Sequence, residues 1–136
     1  METINIPQDI TVFFVRASSF PEGVLKAHQD LHARVPFTTN RRYFGLSRPQ
    51  NGAIIYLAAA EELQPGEAAQ YHCESMVLQK GNYISERVNN YMEALPQLRA
   101  VFATLIEQPG IDPNGYCVEW YLNDKDMLCM VRLAGE

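Results

Sequence analysis

The run Ile10 to Arg16, ITVFFVR, is β-branched and aromatic between polar residues, and it predicts a strand. Ser19 to Glu22 then has the S-x-x-E spacing of a capping box, with Pro21 in the first turn, so a helix is expected from there to about Arg34. Its apolar stripe is Val24, Ala27, Leu31 and Val35. Residues 42 to 47 predict a second strand, and Arg48-Pro49-Gln50-Asn51-Gly52 carries turn chemistry leading into a third over 53 to 61. Beyond a polar loop at Pro65-Gly66, the runs 73 to 78 and 83 to 88 flank Gln79-Lys80-Gly81-Asn82, which fits one long bent strand or a hairpin. A second helix starts at Pro96, with Leu98, Val101, Phe102, Leu105 and Ile106 at helical spacing, and stops at Pro109-Gly110. After the turn Asp112 to Gly115, strands over 116 to 122 and 127 to 133 enclose a tight turn at Asn123 to Asp126.

Strand, helix and hairpin thus occur twice, in halves of about 10–62 and 72–134. Asn40 before Tyr43-Phe44-Gly45-Leu46 resembles Asn114 before Cys117-Val118-Glu119-Trp120. The pattern predicts one α+β domain over 1–136, with a mainly antiparallel sheet, two helices and pseudo-symmetric halves. A length of 136 residues, 47% of them hydrophobic, is enough for a single core. Eleven basic against sixteen acidic residues give a net charge of −5, which argues against direct DNA binding and against an anionic membrane as partner. Three cysteines, an odd number, and no apolar leader point to a reducing cytoplasm. No stretch approaches the ~20 apolar residues of a membrane helix.

The last hairpin holds the anomaly. With Asp124-Lys125 at its tip, Leu122 is expected to face Met127, Trp120 to face Cys129 and Glu119 to face Met130. One face then collects Val118, Trp120, Met127, Cys129 and Val131 as core, and the other Cys117, Glu119, Tyr121, Leu128, Met130 and Arg132. A carboxylate among Leu128, Met130 and Tyr121 loses hydration, at a cost of several kcal/mol unless it is paired, hydrogen-bonded or protonated. Its companion is Arg132, a tyrosine hydroxyl or a ligand cation. Two readings stand side by side: a solvated face with a Glu119–Arg132 pair, or an aromatic-walled pocket around an acid.

The stretches Gly81-Asn82-Tyr83-Ile84, Pro96 to Ile106, Asp112 to Tyr121 and Cys129-Met130-Val131-Arg132-Leu133 resemble the GyrI-like small-molecule-binding family. Tyr43-Phe44-Gly45 and Tyr56-Leu57-Ala58-Ala59 are similar to its first half, so the likeness spans roughly residues 10 to 133. The family includes effector-binding domains of multidrug-sensing transcription activators, a DNA gyrase inhibitor and stand-alone proteins, built as tandem strand-helix-strand-strand modules around a cleft. The resemblance implies that the cleft acid of the E-x-Y pattern is Glu119, with Tyr121 two residues on. By alignment of the halves, Tyr43 and Gly45 face the same cleft, and Tyr56 is a further candidate. A helix-turn-helix of the sensor proteins has no counterpart here. Some stand-alone relatives are hydrolases of strained cyclopropane-bearing electrophiles.

Other constellations carry less. His28 and His32 stand four apart, as in a zinc-protease helix, but Gln29 takes the place of the catalytic glutamate and no third ligand is near. They read as a half-buried and a surface histidine, with no metal site expected. Cys73, Cys117 and Cys129 lack C-x-x-C spacing and read as small hydrophobes. Arg41-Arg42 reads as a solvated strand end, and Tyr71, His72, Tyr83 and Tyr91 as sheet aromatics. No phosphate loop or serine-hydrolase elbow is present.

Three functions from different classes follow. The first is a small-molecule binder for a lipophilic or cationic ligand, which it senses or sequesters, using Glu119, Tyr121, Tyr43, Tyr56 and Met130 and no cofactor. The second is a hydrolase of strained electrophiles with Glu119 as general base and Tyr121 as its aid. The third is an interaction with a protein partner, as in gyrase inhibition.

Overall fold

The β-rich runs become eight strands of one antiparallel sheet in the computed structural model, which describes residues 1–135. In chain order the elements are β1 (Glu2–Ile6), β2 (Ile10–Arg16), α1 (Val24–Arg34), β3 (Tyr43–Gln50), β4 (Ala53–Glu61), α2 (Glu67–Gln70), β5 (Glu74–Leu78), β6 (Gly81–Val88), α3 (Leu95–Ile106), β7 (Cys117–Tyr121) and β8 (Met127–Arg132). A single 3₁₀ turn, Tyr91–Glu93, precedes α3. The fold is α+β, as the pattern of elements requires.

Across the sheet the order is β1-β6-β8-β7-β3-β4-β2-β5, so each strand-helix-hairpin unit lays out its strands alike on either side of the central β7–β3 pair. β5 and β6 lie toward opposite ends of this order yet are joined by only Gln79 and Lys80. The sheet must therefore curl until its two ends nearly meet. The Lys80 amide donating to Asp9 Oδ1 at 2.8 Å ties that corner. Neither β5 nor β6 pairs with the other, so the hairpin alternative for 73–88 is excluded: β5 pairs with β2, and β6 with β1 and β8.

Curling gives two cores. The concave face buries Ile6, Ile10, Val12, Phe44, Leu46 and Met130, among others. The convex face carries both long helices. α1 buries Ala27, Leu31 and Val35 against Phe13, Tyr56, Ala58 and Ala60, which is the stripe that the spacing predicts. α3 buries Leu98 and Leu105 against Met127, Cys129 and Val131, while Ile106, expected in the same stripe, stays 53% exposed at its last turn.

Three further differences have local causes. α1 begins at Val24 behind Gly23, with no side-chain cap, rather than at Ser19. Phe20 precedes a proline and is disfavoured in the α region, so the S-x-x-E segment forms a tight turn with the Gly23 amide on the Ser19 carbonyl at 3.2 Å. β1 is an additional strand, made by the alternation of Ile4 and Ile6 and paired with β6. In the last hairpin Glu119 pairs with Cys129, Tyr121 with Met127 and Val118 with Met130, one residue away from the expected register. The Asn123 side chain sets this, since its Oδ1 accepts from the amides of Lys125 and Asp126 and fixes the turn. A one-residue slip sends every β8 side chain to the other face.

Candidate functional site

α1 packs on β2 and β4, and α3 on β6 and β8, so the β3–β7 pair lies at the seam between them. Its convex face presents Tyr43, Gly45 and Ser47 opposite Tyr121, Glu119 and Cys117. Glu119 thus sits at the middle of the sheet, at the seam between the strands that the two helices cover, half-buried.

Two phenols converge on it. Tyr121, two residues on along β7, donates to Glu119 Oε1 at 2.8 Å, and Tyr56 on β4 donates to the same oxygen at 2.7 Å. Tyr56 can reach only because Gly45 stands between them on β3: a Cβ there would overlap both Tyr56 Oη and Glu119 Oε1. His28 of α1 adds Nε2 at 2.7 Å from Tyr56 Oη. Phe20 stacks on Tyr56 at a centroid separation of 6.0 Å, and Tyr91 tilts against Tyr121 at 5.4 Å. The acid is therefore surrounded by aromatic rings from both halves of the chain.

Electrostatics follow from this enclosure. Burial pushes the Glu119 carboxyl up, against the pull of its two phenol hydrogen bonds. Burial also raises both phenols far above their ordinary value, with the Glu119 charge next, so they remain donors throughout the physiological range. His28 is lowered to about 4 by burial and then by His32. Cys129, beside Glu119 in register, is pushed up to about 12, again by burial first, and is an inert thiol.

Arg132 stands on the opposite face of β8 and binds Asp112 at 3.1 Å and the Lys80 carbonyl at 2.9 Å, so the Glu119–Arg132 pair does not form. Arg41 pairs with Glu67, Arg42 with Glu61 and Arg87 with Asp126. Among the described residues, no lysine or arginine forms an ion pair with Glu119.

The structure brings Glu119, Tyr121 and Tyr56 together and leaves two of the expected residues apart. Tyr43 shares that face of the β3–β7 pair but faces the C-terminal end of α1, stacked on Phe37 at 5.3 Å and 9°, with its hydroxyl accepting from the Thr38 amide. Met130 is fully buried on the concave face opposite Val118, a correction that follows from the register slip. The sequence pattern does not assign His28, Phe20 or Tyr91 to the site. For His28 the one available signal is its place beside the α1 stripe, one residue after Ala27 and four after Val24. His32 packs on Tyr43 and Phe37 instead, and among the described residues no group of three His, Cys, Asp or Glu is placed to hold a metal ion. A cavity of about 510 Å³ lies beyond Phe20, between residues 16–20 and the tip of the β3–β4 hairpin; Glu119 is not part of its lining.

No family model and no curated protein matches the chain. Solved structures do. The chain is similar to an integron cassette protein from the mobile metagenome of Vibrio cholerae, with a TM-score of 0.74 at 9% identity over 97% of this chain and 94% of that one. It is similar to SAV2435, a protein solved bound to tetraphenylphosphonium, with a TM-score of 0.66 at 9% identity over 96% and 93%. It is also similar to a hydrolase from Listeria innocua, with a TM-score of 0.59 at 13% identity over 97% and 90%. What these likenesses show is the fold.

Proposed function

We propose that the protein binds a lipophilic organic cation in the groove between α1 and α3, with Glu119 as its charge complement, so as to sense or sequester it. The observation that carries this reading is a half-buried carboxylate at the seam whose hydrogen-bond partners among the described residues are two phenols. Phenol hydrogen bonds stabilise a carboxylate without cancelling its charge. A cation about 4 Å away gains roughly 4 kcal/mol at the effective dielectric of a partly enclosed site. A large cation with spread charge loses little hydration on entering, whereas a compact ammonium loses much more. The faces of Tyr121, Phe20 and Tyr91 add contributions on the order of 0.5 to 2 kcal/mol each. Together these terms suit micromolar binding. Tetraphenylphosphonium on SAV2435 supports the ligand class, and the resemblance to the GyrI-like family supports the same role.

Titration calorimetry with tetraphenylphosphonium and with tetraphenylborate, the same shape with opposite charge, tests it. The cation is expected to bind and the anion not to, and Glu119→Gln is expected to lose the cation. Equal binding of both ions, or of neither, contradicts the reading.

A second reading has one observation in its favour. A carboxyl raised by burial, with solvent access and two phenols at hand, is also a general base for activating water, and one protein of this fold is named a hydrolase. Consumption of a strained electrophile by the parent protein and its loss in Glu119→Gln would favour this reading; no turnover would exclude it.

A further inference from the structure

The i, i+4 histidines of α1 contribute no charge to the groove, yet one of them touches its hydrogen bonds. His28 lies edge-on to both phenols, with ring centroids 5.6 Å from Tyr56 and 5.3 Å from Tyr121 and interplanar angles of 70° and 85°. Its Nε2 is 2.7 Å from Tyr56 Oη and 3.3 Å from Tyr121 Oη, a wedge between the two oxygens.

Counting hydrogens gives that wedge a meaning. Glu119 Oε1 receives both phenol hydroxyls, which fills its two lone-pair positions. Each phenol has a single hydrogen, so neither has one left for the other, although their oxygens are 3.2 Å apart. Two oxygens facing each other through lone pairs in an enclosed site repel. A hydrogen on His28 Nε2 stands where both can accept it. The other tautomer, with its hydrogen on Nδ1, would point a third lone pair into the wedge. Tyr56 would then have to turn its hydrogen to the imidazole, leaving Glu119 with one donor. With its pKa lowered to about 4, His28 is neutral near pH 7, so a second ring hydrogen does not hold the arrangement. The titratable groups facing His28 are Tyr56 from β4, Tyr121 from β7 and His32 from its own helix, with Glu119 and Tyr91 behind the phenols.

We propose that His28 is the positioning residue of the groove: as the neutral Nε2–H tautomer it donates to Tyr56 Oη, aims both phenolic hydrogens at Glu119, and so keeps the carboxylate ionised for an incoming cation. The consequence for binding rests on the cation reading; the proton arrangement does not. α1 thereby becomes part of the site rather than one of its walls, and a ligand that draws on Glu119 is felt at the helix through one hydrogen bond.

The test uses the full chain labelled with ¹⁵N and ¹³C. Imidazole nitrogen shifts report the tautomer, and the Glu119 carboxyl carbon reports its own titration, neither needing a ligand. The expected results are the Nε2–H tautomer of His28 at pH 7 and an upward move of the Glu119 midpoint in His28→Phe, about tenfold in proton affinity. Phe keeps the ring packing and removes the donor. His28→Gln, which retains an N–H, is expected to restore the midpoint. Tetraphenylphosphonium affinity at pH 7 should fall in the Phe variant, by less than the tenfold change in proton affinity, and return in the Gln variant. An Nδ1–H tautomer in the parent, or a Phe-variant titration that superimposes on the parent's, overturns the proposal. If His28→Phe does not fold by thermal melt, the parent's tautomer and the Gln variant decide. If the parent binds no tetraphenylphosphonium, the cation reading fails, and the tautomer and the titration still decide the role of His28.

Discussion

Two enclosed carboxylates in this protein have been handled in opposite ways. Glu67, at the start of α2, lies in a complete cage: Arg41 binds it through two nitrogens at 2.9 and 3.0 Å, and the amides of Leu63 and Gln64 add two more donors. The Arg41 hydrogen bonds lead in holding its carboxyl down, to about 2. Glu119 has two phenols and no cation, and burial pushes it up. The first acid is matched by the fold and ties the segment after β4 to the one before β3. The second is enclosed without an ion-pair partner among the described residues. That difference is the reason to look for a ligand at one and not at the other.

Breaking the matched pair should have the largest effect. Glu67→Gln leaves Arg41 enclosed and uncompensated, its Nε already without a partner, and should cost about 3 to 5 kcal/mol. Thermal unfolding would register this as a drop of roughly 10 °C or more. The pH window follows from the sign of the shift. Glu67 is depressed, so its contribution is present above the ordinary carboxyl range and is lost as pH falls toward about 2. The acid limb of the parent's stability should flatten in the variant.

Gly45→Ala comes next. Its Cβ must displace Tyr56 Oη and Glu119 Oε1, with an expected cost of about 1 to 3 kcal/mol and a loss of tetraphenylphosphonium affinity of at least about tenfold. A variant of unchanged stability and affinity would show that Tyr56 and Glu119 do not need to meet across β3.

Glu119→Gln should act in the opposite direction to Glu67→Gln. A raised carboxyl stabilises fully below its unfolded-state value, and that contribution is lost as pH rises through the folded-state value. At neutral pH the acid therefore costs stability, and the amide, which can still accept from both phenols, should gain on the order of 1 kcal/mol in denaturant unfolding. The gain should vanish below the ordinary carboxyl range. A protein that becomes more stable as it loses its ligand would separate this acid from Glu67 by a single pair of melts. The smallest effect belongs to Met130→Leu, a volume-conserving change on the concave face, with less than about 1.5 kcal/mol lost and ligand affinity unchanged.

How much of this is legible in the sequence depends on whether the deciding contact is local. The stripe of α1, the strands β2 and β4 and the α+β class follow from periodicity within each segment, and the structure repeats them. Glu119 is legible as an anomaly because a carboxylate between Val118 and Trp120 in a hydrophobic strand needs a companion, although the pattern does not say which. The β7–β8 register is not, because one side chain, Asn123, sets the turn and with it the face that Met130 occupies. The same slipped register puts Arg132 beside Glu119 in the sequence pattern, whereas Asp112 holds it from a preceding loop. The separation of β5 from β6 depends on the curl of the whole sheet, which no local pattern encodes. His28 cannot be placed from spacing alone, since its partners lie 28 and 93 residues away in sequence.

On the cation reading a ligand supplies the positive charge that Glu119 lacks among the described residues, and proton exchange on binding measures that directly. Calorimetry of tetraphenylphosphonium binding in two buffers of different ionisation enthalpy, repeated across the acid to neutral range, gives the number of protons released per cation. A cation beside the raised carboxyl must lower its proton affinity, so release of up to one proton is predicted between the bound and free midpoints, none well above them, and none at any pH in Glu119→Gln. Binding with no proton released at any pH, or with the same release in the variant, would contradict a charge-completing role for the ligand.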